Sequence, residues 1–160
     1  MLEALKQKVY EANMELPRRG SSVLLTVKDA DKPEILPIAR SMADLGMTLY
    51  ATGGTHRFLT GHGIACRRVN RIAEGAPTIL DWIEDGRFDF IINTPGHDHS
   101  HNRDGFLIRR AAVERSIPAV TAMDTARAVI QARIMGHEKQ LRPVDVAGIT
   151  GRKTRAPEML

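Results

Sequence analysis

Between Val23 and Ile134, compact apolar runs alternate with segments of helical periodicity, and the connections are short. This alternation constrains the fold more than any other feature. Strands joined through helices pair in parallel by right-handed crossovers, so the pattern predicts an open parallel sheet covered on both faces. The expected strands are Val23–Val27, Thr48–Ala51, Ile64–Val69, Phe88–Asn93 and Pro118–Thr121, with Ile64–Val69 polar enough for an edge. Pro33 opens a helix whose apolar stripe is Ile35, Ile38, Met42 and Leu45, and Gly46 ends it. Further helices are expected over Thr55–Gly61, Thr78–Glu84, Asp104–Arg115 and Thr125–Ile134.

In sheets of this kind ligands sit beyond the carboxyl ends of the strands. The loops there are Lys28–Lys32, Thr52–Thr55, Asn70–Glu74, Asn93–Asp104 and Thr121–Asp124. Tyr50-Ala51-Thr52-Gly53-Gly54-Thr55 reads as a strand, a tight turn and a helix start. Its two glycines let the backbone approach a ligand, and Thr55 is placed to cap a helix whose free N–H groups attract an anion. A plain capped turn accounts for the same residues. Lys32, Thr52, Thr55, Arg71 and Asn93 can converge on one mouth, which points to an anion site, most simply for phosphate.

The length fits one domain with a full core. The net charge of +4 is too small to argue for nucleic acid, and aromatic side chains make up only 4% of the chain, which leaves little for base stacking. No apolar run is long enough to span a bilayer, so no membrane association is expected. Cys66 is the single cysteine, which suits a reducing compartment, and a cytoplasmic location is expected. Arg67 and Arg68 could favour a Cys66 thiolate, against an inert strand residue. Residues 1–20 are expected to form a linker helix and connection, 21–136 the domain, and 137–160 a flexible tail. Trp82 reads as helix packing, with a partner surface as the alternative.

Four motifs, in order, carry a family resemblance. Asp29-Ala30-Asp31-Lys32-Pro33, Tyr50–Thr55, Ile92-Asn93-Thr94-Pro95 and Asp104–Ala112 resemble the methylglyoxal synthase-like domain. The match is to the version at the C-terminus of the carbamoyl phosphate synthetase large subunit, over roughly Ser21 to Gln131. The resemblance implies a three-layer, Rossmann-like α/β fold and an allosteric regulatory role. It implies binding of a nucleoside monophosphate, UMP or IMP, with phosphate held by Lys32, Thr52, Gly53, Thr55 and Arg71. Asn93 and Thr94 match residues near base and ribose. The implied partners are the remainder of the large subunit and the glutaminase small subunit. The parent makes carbamoyl phosphate for arginine and pyrimidine synthesis with ATP and magnesium, and no cofactor is expected in this domain.

The family also contains an enzyme, methylglyoxal synthase, which acts on dihydroxyacetone phosphate. Asp29, His101 and Asp104 fall where three of its catalytic residues would be. Its Gly-Gly-Asp loop corresponds here to Glu74-Gly75-Ala76-Pro77, which lacks the aspartate, and proton abstraction needs a carboxylate within reach. Glu74 could approach that place. In the regulatory reading Asp29 is a loop carboxylate and Asp104 an N-cap. His97, His99 and His101 alternate in a way that could bind zinc or nickel adventitiously, and no built metal site is expected.

Overall fold

The computed structural model describes residues 16–96 and 99–141, with the side chains at 99–102 and 137–141 outside that description. Five strands form one parallel sheet: β1 Ser22–Thr26, β2 Thr48–Ala51, β3 Arg67–Arg68, β4 Phe90–Asn93 and β5 Ala119–Val120. Five helices connect or follow them: α1 Lys32–Asp44, α2 Gly53–Gly61, α3 Ile79–Glu84, α4 His99–Glu114 and α5 Met123–Leu141. The strand order is β3-β2-β1-β4-β5.

The central strands are apolar at successive positions because both their faces are covered. Alternation sorts the side chains. Val23 and Leu25 of β1, with Phe90 and Ile92 of β4, face a core that includes Ile35, Ile38, Met42, Leu59 and Val129 from α1, α2 and α5. Leu24 and Ile91 face the other way, onto Ile79, Ile83, Ile108 and Ala112 from α3 and α4. The three-layer α/β arrangement expected from the sequence is therefore the one observed. Trp82 packs edge-on against Tyr50 at 5.4 Å and lies roughly parallel to Phe88 at 5.8 Å, with the Arg87 guanidinium 4.8 Å from its ring centre.

Gly46 ends α1 for a backbone reason. Its N–H donates to the Ala43 carbonyl and Met47 N–H to the Met42 carbonyl, a closure that needs the left-handed conformation, φ +87°.

Several boundaries differ from the sequence reading. The third strand contracts to Arg67–Arg68. Upstream of it the Cys66 carbonyl accepts a 3.0 Å bond from His56 Nε2, so the chain there is held by a helix side chain and not by the sheet ladder. Helix α4 begins at His99, five residues before the expected start, which places Asp104 inside the helix and removes its capping role. Helix α5 begins at Met123 and continues through Gly136 to Leu141. The expected N-terminal helix falls on residues 1–15, and most of the expected tail on 142–160, outside the described residues.

Cys66 has no thiolate character. Burial pushes its thiol from 9.0 up to about 12, and the neighbouring arginines do not offset that. The raised value means the folded state holds the proton more tightly than the unfolded chain. Its stabilising effect is complete below pH 9 and is lost as pH rises toward 12. At pH 8 the folded chain is expected to react with iodoacetamide roughly tenfold or more slowly than the urea-unfolded chain. Equal rates would contradict this.

Candidate functional site

The strand order reverses at β1. The chain leaves β1 for β2 on one side and later returns to β4 on the other, and the helices after β1 and β4 cover opposite faces. Such a switch point opens a crevice at the carboxyl ends of the strands. A cavity of about 250 Å³ lies there. Its lining includes six of the seven residues expected to bind the effector: Lys32, Thr52, Thr55 and Arg71 from helix and loop starts, and Asn93 and Thr94 from the end of β4. Gly53 is not part of the lining; its neighbour Gly54 is.

One side of the cavity is built by β2 and α2. Thr52 is the N-cap, extended at φ −83° and ψ 164°, and its hydroxyl makes no capping bond. His56 N–H donates to the Thr52 carbonyl at 2.8 Å, so the helix ladder starts one turn in and the N–H groups before it face the crevice end. Thr55 does not cap the helix as the sequence suggested. It is the third helical residue, 3% exposed, and its hydroxyl meets both the N–H (3.3 Å) and the carbonyl (3.4 Å) of Val27. The helix is thereby fastened to the loop after β1. The early start follows from the glycines, since without side chains Gly53 and Gly54 enter the first turn at no steric cost.

Cations surround this turn. Lys32 is the first residue of α1, and a Cβ placed on Gly54 would lie 3.6 Å from its ammonium. Lys32 is ion-paired with Asp29, whose side chain is otherwise almost fully exposed. Arg71 reaches across to Asp104 of α4 at 3.4 Å. Arg57, which the sequence reading missed, also lines the cavity, and among the described residues it has no carboxylate partner. Its signal was available: it lies one helical turn beyond Gly53, on the side of α2 that faces the turn.

The opposite wall comes from β1 and β4. Asn93 Nδ2 donates to Thr26 Oγ1, its cross-strand neighbour, and its Oδ1 accepts a 3.0 Å bond from Arg109. Thr94 Oγ1 accepts the Lys28 N–H at 3.0 Å. Ile72, Ile79 and Ile108 give the cavity an apolar side.

The residues considered for proton transfer divide. Asp29 and Asp104 both line the cavity, each paired with a cation. The His101 side chain lies outside the described residues, as do those of His97 and His99. Glu74 is turned aside. Its carboxylate accepts the Arg71 backbone N–H at 2.7 Å and an Arg68 Nη2 bond at 2.9 Å. That backbone bond first, then the charges of Arg68 and Arg71, hold its carboxyl below the usual range, which suits an ion-pair acceptor and not a base. Among the described residues no group of three His, Cys, Asp or Glu could hold a metal ion, and no helix is long and apolar enough to cross a membrane.

Comparison with known proteins agrees with this architecture. The family model for the MGS-like domain matches residues 34–121. The chain is 45% identical over 128 residues to the "Carbamoyl phosphate synthase large chain, C-terminal section" of Methanopyrus kandleri, covering 80% of this chain and 23% of that protein. It is 41% identical over 144 residues to the carbamoyl phosphate synthase large chain of Agathobacter rectalis, covering 89% of this chain and 13% of that one. The chain thus spans under a quarter of the length of these relatives. Its fold is shared with methylglyoxal synthase from Elizabethkingia anophelis, at TM-score 0.61 and 20% identity over 89% of this chain and 96% of that one. Parallel sheet, switch-point crevice and sequence match converge, and the chain belongs to the MGS-like domain family.

Proposed function

We propose that the chain is the regulatory domain of a carbamoyl phosphate synthetase large subunit and binds a nucleoside monophosphate, UMP or IMP, in the switch-point crevice. The observation that carries the reading is the position of Lys32. It is the first residue of α1 and lies beside the first turn of α2. A cation is disfavoured at the positive end of a helix dipole, and this one stands at two. An anionic ligand would reverse that penalty, meeting the ammonium and the free N–H groups together.

The phosphate would sit among Lys32, Thr52, the amides of Gly53 and Gly54, and Arg71. Thr55 would act chiefly by anchoring α2 to the β1 loop, since its hydroxyl is already engaged by Val27. Ribose and base would extend toward Asn93 and Thr94. Arg71 is shared between the crevice and Asp104. Phosphate competing for Arg71 would change the tie between the β3 loop and α4, and an effector regulates only through such a difference between two states. The parent's remaining domains, with ATP and magnesium, would carry out carbamoyl phosphate synthesis for the arginine and pyrimidine routes, together with the glutaminase subunit.

The synthase reading has Asp29 and Asp104 in the crevice in its favour. Against it, Glu74 is engaged elsewhere with its carboxyl held low, and no aspartate follows it in that loop. Calorimetric titration with UMP and IMP tests the proposal. Saturable binding to one site by at least one of them is expected, with no methylglyoxal formed from dihydroxyacetone phosphate. An absence of binding by both would overturn it.

A further inference from the structure

The geometry points to Arg109 as a positioning residue that orients Asn93, so that the far wall of the crevice presents hydrogen-bond donors and selects a ligand carrying a carbonyl there. This inference rests on the nucleotide reading and deepens it.

Arg109 lies on α4 and is not part of the crevice lining. Among the described residues its guanidinium has no carboxylate partner; its hydrogen bond goes to Asn93 Oδ1 at 3.0 Å. A guanidinium can only donate, so it dictates which way the Asn93 amide faces. The amide oxygen is turned to Arg109, and Nδ2 is turned to Thr26 Oγ1. Asn93 is 5% exposed, so the orientation is held inside the wall and not averaged by solvent. An amide nitrogen carries two hydrogens. One goes to Thr26, and the other has no partner among the described residues.

The hydroxyls extend the same polarity. Thr26 accepts from Asn93, and Thr94 accepts from the Lys28 N–H, so each keeps its own proton to donate. The Asn93 amide is thus a fixed donor on this wall, and the two hydroxyls beside it can donate as well. The wall belongs to β4 and β1, whereas the anion turn follows β2. With strands about 4.8 Å apart, β2 and β4 lie about 10 Å from each other, which fits a ligand with an anion at one end and a polar ring at the other.

Gly105 supports the assignment independently. A Cβ there would stand 3.0 Å from Arg109 Nη1 and 3.2 Å from Asn93 Oδ1, both closer than ordinary contact. The missing side chain leaves room for this one hydrogen bond.

The test measures affinities of the chain for UMP against CMP, and for IMP against AMP, with inorganic phosphate as the probe of the anion end. Each pair exchanges a ring carbonyl for an amino group. The wild type is expected to prefer the carbonyl member by about tenfold. Arg109→Met and Gly105→Ala are expected to reduce that preference to under about twofold while leaving phosphate affinity unchanged, and Arg109→Lys to restore part of it. Thermal melts confirm that the variants fold. A preference that persists in both variants overturns the inference. So does an equal loss for inorganic phosphate, which would mean that Arg109 acts through its charge. Nucleotide binding with no carbonyl preference overturns this inference alone, whereas no nucleotide binding overturns the reading beneath it as well.

Discussion

Lys32→Ala is expected to weaken nucleoside monophosphate binding by about 10- to 100-fold while leaving the fold's stability unchanged or slightly raised. A charge-assisted hydrogen bond to phosphate contributes about 1.5–3 kcal/mol, which sets the loss in affinity. The stability side follows from position. Lys32 occupies the first residue of α1, where its charge opposes the helix dipole, and alanine is the better helix former. Its ion pair with the exposed Asp29 offsets little, because exposed pairs contribute about 0–1 kcal/mol. Calorimetry and a urea melt on the same sample read both halves. A variant that binds as tightly as the wild type would remove Lys32 from the site. One that loses binding and stability together would show that the lysine serves the fold.

Phe90→Ala is expected to cost about 3–5 kcal/mol of unfolding free energy. Phe90 is fully buried in β4, paired in register with Val23 of β1, and contributes to the core beneath α1 and α5. Truncation leaves a cavity that the neighbouring strands cannot close, because β1 is held by ladder bonds on both sides and β5 by its ladder to β4. Set against a total of about 5–15 kcal/mol for a domain, the loss is a large fraction of the whole. Urea denaturation gives the number, and a cost below about 1 kcal/mol would contradict the packing described here.

The layer architecture was legible because the central strands are apolar at consecutive positions and the helices carry one-sided stripes. Ile35, Ile38 and Met42 are buried as their spacing predicts, and Leu45 is partly buried against the same core. The edges were less legible. Ile64 and Val69 are buried like strand residues, yet only Arg67 and Arg68 pair with β2. The chain entering that strand is held by the His56 bond to the Cys66 carbonyl, a contact across ten residues that no local pattern encodes.

The crevice divides in the same way. Residues of the glycine turn announced themselves through their spacing, and Lys32 and Arg71 through charge at strand ends. Thr55 was assigned to the wrong task because a helix that starts at Gly53 moves the cap to Thr52. Asp104 was misread because the polar stretch before it was taken for a loop, whereas α4 already begins at His99. Arg109 and Gly105 gave no signal of their own. A glycine four residues before an arginine within a helix is ordinary until Asn93, at the end of β4, is placed against both.

The central claim is that the ends of β1, β2 and β4 form one anion-binding crevice. Backbone amide chemical shifts recorded while UMP or IMP is added test it most directly. The account predicts that the largest changes fall on Gly53, Gly54 and Thr55, with smaller ones at Asn93 and Thr94. Changes centred on Arg18–Ser21, at the opposite ends of the strands, or no changes at saturating nucleotide, would contradict it.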